Sequence, residues 1–185
     1  MDPEHSIVDL KELLKPFILT VAIIIADQIT KAVIVAAVER LEYGGPTIEV
    51  LGQFFRIIHV RNLGIAFSIG RDLAPDVRRL LFILLPSIVV IALVISYFRT
   101  HDFTRLQRWA VAGIVGGGTG NIIDRLFRPA GVVDFLDVRF YGLFGLERWP
   151  TFNIADASVV VCGILLMASV FLQKEHRSPS HEQEG

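Results

Sequence analysis

The stretch LLFILLPSIVVIALVISYF, residues 80–98, contains no charged side chain. At roughly 1.5 Å per residue, about 19 helical residues span about 29 Å, close to the hydrocarbon thickness of a bilayer. Working outward, residues 154–172 form a similar run with one acid, Asp156, near its start. Residues 17–38 are as long but carry Asp27 and Lys31, and residues 109–123 are shorter and rich in glycine. Hydrophobic residues make up 52% of the 185-residue chain, so the runs rest on a matching composition. The reading is an all-α membrane protein with four transmembrane helices, forming a single membrane-embedded domain over residues 1–185. Residues 1–15 are a polar lead-in and residues 174–185 a polar tail. The first apolar run starts after Pro16 and is too long for a signal-peptide core, so it reads as a retained helix.

Between the first two helices, Gly44-Gly45-Pro46 marks a turn. Residues 55–61 then alternate apolar with polar, which is strand patterning. A small β-sheet on the membrane surface, between helices 1 and 2, is the economical reading. Residues 128–151 hold Pro129, Gly131, Gly142, Gly145 and Pro150 and read as irregular. Pro86 predicts a kink in the second helix.

Several chemistries are excluded. A net charge of −1 and the lack of a basic block give no footing for nucleic acid. The lone Cys162 forms no intrachain disulfide and reads as a small buried residue. No His-Glu-x-x-His and no Gly-x-Ser-x-Gly is present, which argues against a zinc protease and a serine hydrolase. His59, alone on an alternating strand, reads as a surface residue. No metal and no organic cofactor are expected.

Four successive helices must alternate direction. The end of the first, the start of the second, the end of the third and the start of the fourth therefore share one side. Asp27 and Lys31 lie late in helix 1, and Asn62 in the following loop. Asn121, Asp124 and Arg125 close helix 3, Asp134 and Asp137 follow it, and Asn153 and Asp156 open helix 4. A charge near the bilayer centre costs about 2.5–3.5 kcal/mol on insertion scales, so such groups usually face protein or water. A one-sided cluster of this kind reads as a site. Each part also has a structural explanation. Asn153 with Asp156 fits a helix N-cap, Asp27 with Lys31 fits a salt bridge, Asp124 with Arg125 fits an ion pair, and Gly113, Gly116, Gly117 and Gly120 fit close helix packing.

The cluster offers carboxylates, amides and one Arg. Two carboxylates at close range share one proton, because both cannot easily ionise. The ionised acid then activates water and the protonated one assists the substrate carbonyl. Asp124, Asp134, Asp137 and Asp156 are the candidates, and spacing alone does not choose the pair. A proton-coupled transporter and a non-catalytic scaffold are the other classes in view. Acids confined to one membrane edge disfavour the transporter.

Five ordered motifs carry a resemblance. They are Asp27-Gln28-Ile29-Thr30-Lys31, Asn62-Leu63-Gly64-Ile65-Ala66-Phe67-Ser68, Gly116-Gly117-Gly118-Thr119-Gly120-Asn121-Ile122-Ile123-Asp124-Arg125, Val132-Val133-Asp134-Phe135, and Trp149-Pro150-Thr151-Phe152-Asn153-Ile154-Ala155-Asp156. In this order, over roughly residues 20–170, the chain resembles the lipoprotein signal peptidases, or signal peptidase II, of bacterial membranes. The resemblance implies an aspartic endopeptidase that cuts before the diacylglyceryl-modified Cys of a prolipoprotein, with Asp134 and Asp156 as the catalytic dyad. It implies that Asn121, Asp124, Arg125 and Asn153 orient the dyad and substrate, and that Asp27, Lys31, Asn62 and Gly64 lie near the site. It further implies four helices with an extracytoplasmic sheet, a monomer in the bacterial inner membrane with both termini cytoplasmic, and lipid-modified signal peptides and membrane lipid as partners. Ile65, Ala157 and Gly118-Thr119 depart mildly from the family pattern.

Overall fold

The structure is a computed structural model that describes residues 10–64, 74–100 and 102–177. Residues 65–68 of the second motif lie outside the described residues, as do residues 1–9 of the lead-in and 178–185 of the tail. The helices are α1 (Leu10–Leu14), α2 (Phe17–Ala37), α3 (Pro75–Arg99), α4 (Arg105–Phe127) and α5 (Ile154–Arg177). The strands are β1 (Ile48–Leu51), β2 (Phe55–Asn62) and β3 (Val132–Val138). Pro16 separates α1 from α2, and Pro86 lies within the continuous helix α3.

Three helical stretches are long and apolar enough to cross a membrane: Leu10–Tyr43, Arg79–Arg99 and Ile154–Gln173. Their outward faces fit that role. On α2, Ile18, Val21, Ile25, Ile29 and Val33 are exposed and recur every three or four residues, which is one helical face. Thr20, Asp27, Lys31 and Ile34 point the other way and are buried. Apolar stripes of this kind suit lipid contact.

The fourth long helix, α4, is not apolar enough to meet the same standard, and its position gives the reason. It packs against α2, α3 and α5, and eleven of its residues are buried, among them Gly113, Gly116, Gly117 and Gly120. A helix surrounded by protein needs small residues more than greasy ones. A Cβ on Gly117 would lie 2.3 Å from the Ala155 carbonyl oxygen of α5, and one on Gly116 would lie 3.1 Å from the Thr20 Cα of α2. Thr20 Oγ1 also donates to the Ala112 carbonyl at 2.7 Å, tying α2 to α4. The start of α4 carries a capping box, Thr104 with Gln107, which places that start at Arg105.

The sheet is antiparallel in the order β1-β2-β3. The alternating pattern after the first helix does form β1 and β2. The third strand corrects the sequence reading, because it comes from the connection after α4 that reads as irregular. β3 runs Val-Val-Asp-Phe-Leu-Asp-Val, and its first four residues are all buried. A strand covered on both faces shows no alternation, so its period is invisible in the sequence. The sheet lies over the end of α2, where Val133 and Phe135 pack with Ile34 and Val38. Phe152, just before α5, exchanges backbone hydrogen bonds with Leu136 at 2.8 and 3.1 Å, which fastens the start of α5 to β3.

Close packing at α4 yields the first prediction. Gly117→Ala drives a Cβ into the backbone of α5 and should destabilise the protein by about 1–3 kcal/mol. A Cβ on Gly163 would meet nothing within 4 Å, so Gly163→Ala should leave the unfolding temperature in detergent unchanged or slightly raised. Equal unfolding temperatures for the two variants would refute this packing.

Candidate active site

The site begins with a buried charge. Lys31 is fully buried on α2 and its ammonium lies 2.8 Å from Asp27 and 3.2 Å from Asp124, both also fully buried. Asp124 pairs in addition with Arg128, one helical turn on. Two acids and two bases therefore balance. Each acid also holds a neighbouring element: Asp27 Oδ1 accepts the Ala155 N–H at 3.0 Å at the start of α5, and Asp124 Oδ2 accepts the Val133 N–H of β3 at 3.1 Å. Gln28 donates from Nε2 to Asp27, Asp124 and the Gly120 carbonyl, each at 3.1 Å. A Cβ on Gly120 would lie 2.7 Å from Asp27 Oδ2, so only glycine admits the carboxylate here.

Above this base lie Asp134 and Asp156, each held by amides. Asp134, on β3, accepts from Asn62 Nδ2 at 3.0 Å and from Asn153 Nδ2 at 2.7 Å. Asp156, in the first turn of α5, accepts from Asn121 Nδ2 at 2.7 Å and from the Asn153 N–H at 3.2 Å. Asn153 Oδ1 accepts the Asp156 N–H at 2.9 Å, so Asn153 caps α5 while its amide reaches Asp134. Asn121 Oδ1 accepts from Lys31 at 2.9 Å and from Asn153 at 3.1 Å, linking the charged base to the acid pair. Asn62 Oδ1 takes the Gly64 N–H at 2.8 Å, with Gly64 at φ +88°. The cap reading of Asn153 and the salt-bridge reading of Asp27 with Lys31 are thus both correct, and both serve the same cluster.

Asp134 is displaced from the ordinary carboxylate range. Burial and then the nearby Asp156 charge push its pKa up to about 7, against the downward pull of the Asn62 and Asn153 amides. Arg125 forms no ion pair or hydrogen bond among the described residues, but lies near enough to Asp156, Asp134 and Asp124 to attract their charges. It lines a cleft of about 210 Å³ together with Asn62, Arg79, Phe82 and Arg128. A second, more open cleft of about 320 Å³ reaches Asp134 past Arg61, Leu63 and Thr151. Both clefts include Asn62 and Leu63, and Asp134 lines the second of them.

Three sequence expectations change. The partner of Asp124 is Arg128 and not Arg125; residues four apart share a helix face and adjacent ones do not, which was the available signal. Asp137 stays apart from the acid pair, held on the sheet by Arg56 at 2.6 Å and Arg148 at 2.6 Å. His59 is buried, with Nδ1–H donating to the Val38 carbonyl at 2.7 Å, and burial pushes its imidazole below the usual value. Gln28, part of the first motif but given no role in the sequence reading, joins the site through its contacts with Asp27 and Asp124. Among the described residues, no group of three His, Cys, Asp or Glu is placed to hold a metal ion.

The fold and site define a class first, that of bacterial membrane enzymes. A bacterial membrane enzyme solved by the in meso method at 2.3 Å covers 92% of this chain and 94% of its own, with a TM-score of 0.74 at 28% identity. A second, solved by the same method at 1.9 Å, gives a TM-score of 0.71 at 29% identity, covering 84% of this chain and 92% of its own. The sequence narrows the class. The family model described as signal peptidase (SPase) II matches residues 19–172. The lipoprotein signal peptidase of Treponema pallidum (strain Nichols) is 48% identical over 88% of this chain and 87% of its own. That of Treponema denticola is 45% identical over 88% of this chain and 92% of its own. The chain belongs to the signal peptidase II family.

The buried base gives the second prediction. Lys31→Met leaves Asp27 and Asp124 in excess over Arg128. Removing one partner of a buried pair typically costs about 3–5 kcal/mol, so this variant should unfold at much lower temperature in detergent. Adding Asp27→Asn should recover part of the loss. An additive double variant, with no recovery, would mean that the two side chains do not interact.

Proposed function

We propose that this chain is an aspartic endopeptidase that removes signal peptides from prolipoproteins, cleaving before the diacylglyceryl-modified Cys, with Asp134 and Asp156 as the catalytic dyad. The observation that carries the reading is Asn153, whose one side chain caps the helix holding Asp156 and donates to Asp134. Asn153 touches both carboxyl groups, Asp134 through its side-chain amide and Asp156 through its backbone N–H, which fixes them relative to each other. With Arg125 beside them, the group is neutral when one of the two acids keeps a proton.

The roles follow from surroundings. Asp156 sits at the N-terminal end of α5 and accepts a backbone N–H, a position that favours negative charge. Burial and the nearby Asp156 charge raise Asp134 to about 7. Asp156 takes a proton from a water molecule as its oxygen attacks the scissile carbonyl. Asp134 gives its proton to the carbonyl oxygen. The tetrahedral intermediate collapses as Asp156 passes its proton to the departing amine of the Cys and Asp134 recovers a proton from the hydroxyl. General acid–base assistance of this kind is typically worth about 10²–10⁴-fold. Four helices cross the inner membrane in this reading, with α4 as the enclosed fourth span, the sheet and dyad at the extracytoplasmic face, both termini cytoplasmic, and the protein acting as a monomer on membrane-held, lipid-modified substrate.

The test is cleavage of a lipid-modified prolipoprotein by the purified protein in detergent. Asp134→Asn and Asp156→Asn should each lower turnover by about 10²–10⁴-fold while unfolding at near-normal temperature. Asp137→Asn should keep turnover, since that acid serves the sheet. Loss in Asp137→Asn with retention in Asp134→Asn would place the chemistry on the wrong strand residue. The unmodified precursor should be cut slowly, and equal rates on both precursors would remove the lipoprotein reading.

The raised acid adds a pH dependence. A group working in its protonated form is present below its pKa and lost above it. Turnover should therefore fall as pH rises through about 7, approaching tenfold per pH unit. A flat profile from pH 6 to 9 would remove Asp134 as the acid.

A further inference from the structure

At the end of the bundle opposite the acid pair, a cleft of about 260 Å³ is lined by Glu12, Leu13, Lys15, Arg105, Arg108 and Trp109. The peptidase chemistry uses none of these residues. We propose that this cleft binds the phosphodiester headgroup of an anionic membrane phospholipid, with the acyl chains lying along the outer face of α2.

The charge pattern points to an anion. Three bases face one acid, and Glu12 is already paired with Lys15. Arg105 is exposed and has no hydrogen bond or ion pair among the described residues. Arg108 is held in place, its guanidinium 5.3 Å over the Tyr97 ring and within 3.4 Å of the Tyr97 and Thr100 carbonyls. Both Arg residues stand in the first turn of α4, which carries no acid. Cations there oppose the helix dipole, so an anion relieves the repulsion between the guanidiniums and the helix end.

The apolar pattern points to a lipid. Leu13 and Trp109 line the cleft, and a Trp with basic neighbours at the end of an apolar span is the usual interfacial arrangement. Ile18 and Val21 continue from the cleft down α2, 68% and 54% exposed, and offer a track for acyl chains. The cleft's wall is rigid: Tyr97 is fully buried, donates to the Leu13 carbonyl at 2.6 Å and packs edge-on against Phe17 at 5.0 Å. Basic pockets between transmembrane helices recognise anionic headgroups by this chemistry.

The inference rests on the membrane placement proposed above and not on the cleavage chemistry, so its test reads lipid binding directly. Native mass spectrometry of the full chain, released from detergent, would be titrated with phosphatidylglycerol and with phosphatidylcholine of the same acyl chains. Phosphatidylglycerol should bind at least about tenfold more tightly, and Lys15→Gln with Arg105→Gln should weaken it about tenfold without changing phosphatidylcholine. Both side chains are exposed, so the variant should unfold as wild type and cleave prolipoprotein at the wild-type rate, which separates a failure here from a failure of the peptidase reading. Inorganic phosphate at millimolar concentration should not displace the lipid. Equal binding of the two lipids, undiminished binding by the variant, or displacement by phosphate would each overturn the proposal.

Discussion

A lysine with no access to solvent is the constraint on which the rest depends. Lys31 sits inside a helix whose outer face is built for lipid, and its charge can persist there only with partners close by. Asp27 and Asp124 supply them, and each uses its second oxygen to hold a backbone N–H of another element. The charge balance thus dictates where α5 starts and where β3 lies. Those two elements carry Asp156 and Asp134, the proposed dyad. The ion network is therefore better understood as the device that sets a geometry than as a source of net stability, since burying charges consumes much of what their attraction returns.

The glycine-rich helix α4 answers the same need. Four elements must converge on one small polar volume, and bulky side chains would hold them apart. Gly120 lets the Asp27 carboxylate reach across, and Gly117 lets α5 approach to backbone contact. The cost appears as low hydropathy, which is why α4 falls short of the apolar standard that the three candidate membrane-crossing stretches meet. Its enclosure by α2, α3 and α5 shields it from the lipid that would penalise its polar residues.

Legibility in the sequence followed exposure to periodic surroundings. The runs at 80–98 and 154–172 are plain because lipid asks only for apolar length, and the run at 17–38 is weaker because of Asp27 and Lys31. The one-sided polar cluster was also plain, because helix parity does not depend on detail. β3 was not, since burial on both faces removes the alternation that marks a strand. The sequence reading pairs Asp124 with the adjacent Arg125, but a residue four positions on shares the face of Asp124 and the adjacent one does not. His59 was misplaced because an alternating strand does not say which face the rest of the protein covers. The assignment of Asp134 and Asp156 came from motif resemblance, and residue spacing alone had left Asp124 and Asp137 equal to them.

The geometry separates those four acids by the kind of partner each has. Asp124 and Asp137 are held by cations, Lys31 with Arg128 and Arg56 with Arg148. Such an ion pair ties the carboxylate to a fixed partner, which suits a structural anchor. Asp134 and Asp156 are held mainly by neutral amides, which orient a carboxyl group without fixing its charge. Arg125 stands nearby but bonds to neither. The amides allow a proton to be gained or lost with little rearrangement, while burial and mutual repulsion lift Asp134 to about 7. The proposed dyad, holding one proton and passing it on, would need neutral donors in contact and positive charge at one remove, and the amides with Arg125 supply that arrangement.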